Sequence, residues 1–212
     1  MRPIAVRSAL SAALLVLAPG AGSRASLPEP PNAQVPACIT LVGRNGGVPS
    51  DAGTFIVVIR DLAGSPVPGA VVTLDLSLAT DVSLCADAAV PGLVLDCPDM
   101  QVMAVTDAAG IATFTVPGGG NATGERTFGG AGRFYWDGVV LGSPVVRTFD
   151  LDGAEGLGAN DLSLWLEDFG TGQPFARSDY DCSGVLGAND LSLWLSAFGQ
   201  GTQTASCATI CP

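Results

Sequence analysis

The chain has 212 residues, with 20 Asp and Glu against nine bases and a formal net charge of −11. All nine bases are arginine, and neither histidine nor lysine occurs. This excludes a histidine general base, a Ser-His-Asp triad, a histidine metal site, a Schiff-base lysine and a P-loop lysine. The acidic balance also speaks against nucleic acid, which needs a basic face. With 28 Gly, 15 Pro and only 14% charged residues, the composition suits turn-rich β structure better than long helices.

Residues 1–25 read as a secretory signal. Arg2 and Arg7 give the basic start. The apolar run 9–18 is too short to span a bilayer, and Ser23-Arg24-Ala25 offers a small-x-small cleavage site. Cleavage would leave six Arg against 20 acids, a charge of −14. No later segment is apolar over a membrane-spanning length, so the product is expected to be exported, then released or held at the cell surface by a partner. Val35-Pro36-Ala37-Cys38 loosely resembles a lipidation box. It lies far beyond the apolar run, so lipid anchoring is not expected.

Residues 26–36 are Pro-rich and read as an extended linker. Short apolar runs between turn signals follow, up to residue 149. Strands are expected over 37–43, 54–61, 70–78, 82–87, 93–97, 101–106, 111–116, 133–136, 139–141 and 145–149. Each is rich in Val, Ile or Thr and broken by Gly, Pro or Asp. In Thr113-Phe114-Thr115-Val116 the apolar residues alternate, which predicts one buried face. Many short strands with this spacing predict an antiparallel sandwich. Asp51, Asp61, Asp75 and Asp107 sit mostly beside Gly or Pro, as turn residues do. No catalytic constellation is visible among them, and the chain reads as non-catalytic. Asn121-Ala122-Thr123 is a glycosylation sequon.

Two turns carry a resemblance. Asp61-Leu62-Ala63-Gly64-Ser65-Pro66-Val67-Pro68-Gly69-Ala70 follows a strand, and Thr106-Asp107-Ala108-Ala109-Gly110-Ile111-Ala112 precedes one. Together they resemble the bacterial Ig-like domains of the invasin and intimin type. The resemblance covers residues 37–148 and implies an Ig-like β-sandwich; it speaks for fold more than for activity. The segment between Cys85 and Cys97 is not part of that pattern.

The most informative feature is a repeat. Residues 150–170 (DLDGAEGLGANDLSLWLEDFG) and 179–199 (DYDCSGVLGANDLSLWLSAFG) match at 14 of 21 positions, offset by 29. Nine acids and one base, Arg177, fall between Asp150 and Asp190. In the second copy Asp179, Asp181 and Ser183 occupy positions 1, 3 and 5 of a loop, where their oxygens can converge on a hard cation such as Ca²⁺. Gly184 at position 6 permits the sharp turn, Val185 at position 7 would give its carbonyl, and Asp190 at position 12 closes the set. Position 9 is Gly187, so a ligand there would be water. A helix follows each loop, with Leu162, Trp165, Leu166 and Phe169 in the first copy and Leu191, Trp194, Leu195 and Phe198 in the second on one apolar stripe. Gly170 and Gly199 are the stop signals. The competing reading is two amphipathic helices with acidic caps and no metal.

The first copy departs from this pattern. Asp150, Asp152 and Asp161 hold positions 1, 3 and 12, but position 5 is Ala154 and position 6 is Glu155. Glu155 is a candidate substitute ligand, and calcium occupancy is expected to be stronger in the second loop.

These loop-helix units resemble the duplicated calcium-binding repeats of type I dockerins. The resemblance covers residues 149–200, ahead of a Cys-containing tail, 201–212. It implies a small α module of two EF-hand-like units, packed with pseudo-twofold symmetry and each binding Ca²⁺. It also implies calcium-dependent docking to a cohesin-type partner through positions 10 and 11, here Ala159, Asn160, Ala188 and Asn189.

Six cysteines in an exported chain suggest disulfides. Cys85–Cys97 is the expected short-range pair. Cys182, at position 4 of the second loop, should point away from the metal and pair with Cys207 or Cys211, with Cys207–Cys211 as the rival. No cysteine spacing suits zinc. Three functions follow, in order. The first is a non-catalytic adaptor tethered through the calcium module, which docks to a cohesin-like or other surface protein. The second is an adhesion or carbohydrate-binding protein whose Ig-like domain meets a glycan. The third is a small glycan-degrading component of a cellulosome-type assembly.

Overall fold

The structure is a computed structural model; it describes residues 32–45, 48–87, 89–120, 132–154, 156–171, 176–200 and 209–211. The expected signal segment, the first part of the expected linker, the sequon, Glu155 and Cys207 lie outside these residues.

The described chain is mainly β, with two helices at its C-terminal end. Its strands are β1 (Cys38–Leu41), β2 (Arg44–Asn45), β3 (Val48–Pro49), β4 (Phe55–Val58), β5 (Val71–Asp75), β6 (Val82–Leu84) and β7 (Leu93–Asp96). They continue with β8 (Gln101–Val105), β9 (Ile111–Phe114), β10 (Gly118–Gly120), β11 (Arg133–Trp136), β12 (Val139–Gly142) and β13 (Val145–Thr148). The helices are α1 (Ala159–Thr171) and α2 (Ala188–Gly199), joined through a 3₁₀ turn at Ala176–Ser178.

One layer is a five-stranded antiparallel sheet in the order β12-β11-β5-β8-β7. Opposite it lie the pairs β4–β9, β6–β10 and β1–β13. The main core draws Val72, Leu74 and Val102 from the sheet and Ile39, Val57 and Phe114 from the facing strands. Phe55 stacks on Phe114 at 5.4 Å, and Phe134 meets both rings edge-on. Side chains from two layers meeting in one apolar core make this a sandwich-like domain. The alternation expected in residues 113–116 is present, with Phe114 and Val116 buried between less buried threonines.

All ten expected strands have a counterpart. The two-residue strands β2 and β3 and the glycine strand β10 were not foreseen, the last because glycine carries no strand signal. Its reason is tertiary. A Cβ on Gly118 would strike the Ser83 carbonyl, and one on Gly119 would come within 2.7 Å of Asp150 Oδ2. The all-antiparallel expectation also needs correction, since β1 and β13 pair parallel, as do Val42 and Pro117. Nearly the whole domain separates β1 from β13, so no tight hairpin forces them antiparallel.

The acids beside turns act as turn residues. Asp61 Oδ1 accepts from the amides of Ala63 (2.9 Å) and Ser65 (2.8 Å). Asp107 Oδ1 accepts from Ala109 (2.8 Å) and Ile111 (3.0 Å), and Asp75 Oδ1 from Ser77 (2.8 Å). Local carboxylate-to-amide bonds of this kind stabilise the turn and hold the acids apart from one another.

The cysteine expectations are corrected. Cys97 pairs with Cys211, not Cys85, and Cys182 pairs with Cys38, not with the tail. Cys85 is itself disulfide-bonded. Cys85 and Cys97 are close in sequence, but β6 and β7 belong to opposite layers. The tail instead returns to the sandwich: Ile210 bridges Cys85, and the Cys211 amide donates to the Leu84 carbonyl at 2.8 Å. Cys38, in its disulfide, is not a free thiol for lipid attachment. No helix among the described residues is long and apolar enough to cross a membrane.

Candidate metal centre

The helical module has its own core: Phe149, Leu151, Leu157, Trp165, Tyr180, Trp194 and Ala197, joined by Val42 from the sandwich. Its two units exchange equivalent bonds. Trp165 Nε1 donates to the Ser178 carbonyl at 3.2 Å, and Trp194 Nε1 donates to the Phe149 carbonyl at 3.1 Å. Both the donors and the acceptors are 29 residues apart, the offset of the repeat. Each tryptophan therefore anchors the chain just ahead of the other unit's loop.

The helix stripe is corrected. Leu166 and Phe169 are each 51% exposed and Leu195 is 49% exposed, whereas Trp165 and Trp194 are buried. The buried lines are Asp161–Trp165–Asp168 and Asp190–Trp194–Ala197. Polar anchors turn the helices this way. Asp161 Oδ2 accepts from the Gly158 amide at 2.7 Å, and Asp190 Oδ2 from Gly187 at 2.8 Å, each closing the first turn of its helix. Asp168 accepts two bonds from Arg177, at 2.7 and 2.8 Å, and one from Ser178 Oγ at 2.7 Å. Gly199 ends α2 as expected, whereas α1 runs one residue past Gly170.

Both loops gather their carboxylates. One oxygen from each of Asp150, Asp152 and Asp161 lies within 4.8 Å of the others, and the same holds for Asp179, Asp181 and Asp190. Asp150, Asp161, Asp179 and Asp190 are buried; Asp152 is half-buried and Asp181 exposed. In the first loop Asp150 Oδ1 accepts from Gly153 at 2.7 Å, and Asp161 Oδ1 from Leu151 at 2.7 Å and Asp152 at 3.1 Å. In the second, Asp179 accepts from Ser183 and Gly184, each at 3.0 Å, and Asp190 Oδ1 from Asp181 at 3.0 Å. The remaining expected donors sit close by. Ser183 Oγ donates to the Val185 carbonyl at 3.0 Å, so these two oxygens are adjacent on the exposed side.

The electrostatics ask for a counter-ion. Burial pushes the Asp150 carboxyl up to about 7, helped by the charge of Asp161, and burial pushes Asp161 up to about 6. Asp181 is held below the ordinary carboxylate range, chiefly by hydrogen bonding from Ser183, whose amide donates to Oδ1 at 3.0 Å. Close like charges away from water disfavour ionisation unless a cation is present. The donors are carboxylate, hydroxyl and carbonyl oxygens, a set that fits a hard cation and no soft metal.

Several contributors escaped the sequence reading. Arg147 donates from Nη2 to Asp179 Oδ2 at 3.0 Å, with both side chains buried. Asp168–Arg177 is a second ion pair, with Asp168 buried and Arg177 half-buried. Its signal was present in the repeat: Asp168 and Arg177 stand where the offset copy and its flank carry Ala197 and Thr148. Cys182 is also informative, since its φ of +63° matches +68° at Gly153, the same loop position in the first copy. Glycine adopts that left-handed backbone freely and cysteine does not, so the disulfide to Cys38 holds a conformation the loop needs.

The residues at positions 10 and 11, Ala159, Asn160, Ala188 and Asn189, are all exposed at the helix starts. Asn189 Nδ2 also donates to Asp181 Oδ2 at 3.3 Å. Set against known proteins, the chain matches no family model, no curated protein and no solved structure.

Proposed function

We propose that the protein is an exported, non-catalytic calcium-binding adaptor. Its two loop-helix units each hold Ca²⁺, and the calcium-ordered module docks an Ig-like domain onto a cohesin-like or other surface protein. The observation that carries this is the pair of repeat-related carboxylate triads, each with its oxygens within 4.8 Å. Asp150, Asp152 and Asp161 would hold one ion. Asp179, Asp181 and Asp190 would hold the other, with the Ser183 hydroxyl and Val185 carbonyl. Calcium suits this reading because it takes six to eight oxygens in flexible loops. The ion would supply charge neutralisation and loop order. Ala159, Asn160, Ala188 and Asn189, exposed beside the loops, would meet the partner.

Pull-down with cohesin-like domains, with and without EGTA, tests docking; capture that ignores EGTA would refute it. Calorimetric titration with Ca²⁺ tests the metal, and an absence of binding would remove the basis of the reading.

A second reading, adhesion through a glycan, draws on the outer face of the five-stranded sheet. Val94, Met103, Thr73, Tyr135 and Val140 form one cross-strand row there. A glycan array separates the two, since the adaptor reading expects no glycan to bind.

A further inference from the structure

We infer that Arg147 is a built-in counter-cation of the second loop that holds its calcium affinity down, so that the first loop fills first. This rests on the proposed calcium reading and adds an order of filling and the residue that sets it.

Arg147 lies on β13, three residues ahead of the first loop, yet its guanidinium reaches the second. Nη2 is 3.0 Å from Oδ2 of Asp179, the position 1 ligand, and Nη1 is 3.4 Å from Cys182 Sγ at position 4. The side chains of Arg147 and Asp179 are 5% and 6% exposed, so water screens the pair little. Arg147 Nε is buried with no hydrogen-bond partner among the described residues. Strand pairing with Thr40 fixes the Arg147 backbone and the Cys38–Cys182 bond ties the loop to β1, so both sides of this contact are held.

The other unit carries no arginine at the equivalent position. The repeat offset maps Arg147 onto position 176, which is alanine. Among the described residues, three carboxylates gather in the first loop; in the second, three carboxylates gather and one of them is bonded to a guanidinium. The first loop lacks the position 5 hydroxyl that Ser183 supplies, but a neutral oxygen can be replaced by water. A buried positive charge touching a ligand oxygen cannot be replaced in that way. A guanidinium bonded to a ligand oxygen repels a divalent ion at that carboxylate, and even at the dielectric of water this Coulomb repulsion weakens binding by about tenfold. This order reverses the one expected from the ligand pattern alone.

Calorimetric Ca²⁺ titration of the full chain without its signal segment tests the inference. Asp152→Asn should abolish the tighter of two sites, and Asp181→Asn should leave it intact. Arg147→Gln should tighten the second site by about tenfold or more, whereas Arg147→Lys, which keeps the charge, should not. Loss of the tighter site in Asp181→Asn would overturn the inference, as would a folded Arg147→Gln whose second-site Kd stays within about twofold of the parent. If Arg147→Gln does not fold, as melting would reveal, the two aspartate variants decide the order in the unaltered Arg147 background. A parent protein that binds no Ca²⁺ would overturn the calcium reading itself, an outcome distinct from calcium binding in the opposite order.

Discussion

The sandwich and the helical module use carboxylates in opposite ways. In the sandwich, Asp61, Asp75 and Asp107 tie off turns at the periphery, around a main core that contains no carboxylate. In the module, Asp150, Asp161, Asp168, Asp179 and Asp190 are buried beside Trp165, Tyr180 and Trp194. Charge without water is costly unless paired. The sandwich should therefore be stable by itself, whereas the module depends on counter-charge from Arg147, Arg177 and the proposed ions.

The sharpest test of this contrast is a matched pair of core truncations. Phe114→Ala in the sandwich and Trp194→Ala in the module should each cost about 3–5 kcal/mol in denaturant unfolding. Only Trp194→Ala should also weaken Ca²⁺ binding, because it releases the Phe149 carbonyl next to the first loop. Equal effects of both on binding would break the division. Asp168→Asn removes the charge from a fully buried carboxylate that accepts from Arg177 and Ser178, and should cost about 2 kcal/mol. The equivalent position in α2 is Ala197, so no compensating pair exists there.

The pH dependence distinguishes the regions next. Without divalent cations, folded Asp150 and Asp161 keep protons that the unfolded chain, with the ordinary value of 3.8, has already released. The folded state then binds more protons between about pH 4 and about pH 7, so stability in EGTA should fall as pH rises through that window and level off above it. Saturating Ca²⁺ should cancel this slope, and at about a hundredfold excess over Kd it should add about 2.7 kcal/mol per site. Melting curves at several pH values, with and without the ion, provide the check. A slope untouched by the ion would separate the carboxylate burial from any metal role. The smallest effect is expected for Asn189→Ala. It removes one exposed bond to Asp181 and should change stability by less than about 1 kcal/mol, while lowering partner capture if position 11 carries recognition.

Much of the local structure was legible from residue patterns. Turn chemistry at Asp61 and Asp107, strand alternation around Phe114 and the loop spacing of both repeats depend on neighbours in the chain, so they appear in the sequence directly. The glycine strand β10 did not, because its glycines answer to Ser83 and Asp150, which are distant in sequence. The helix faces were misjudged for a related reason. Periodicity finds apolar residues, but capping by Asp161 and the Asp168–Arg177 pair turned Leu166 and Phe169 toward solvent.

The sequence by itself determined that no histidine or lysine chemistry is available, that short strands, ten of the thirteen observed, precede a duplicated loop, and that each loop has carboxylates at metal-ligand spacing. These follow from composition and short-range periodicity. Only the tertiary structure decided that Cys38 meets Cys182, that Cys97 meets Cys211, and that Arg147 lies against Asp179. Contacts of that kind are set by which distant segments pack together, and a buried charge acquires its strength only once packing has removed the water around it.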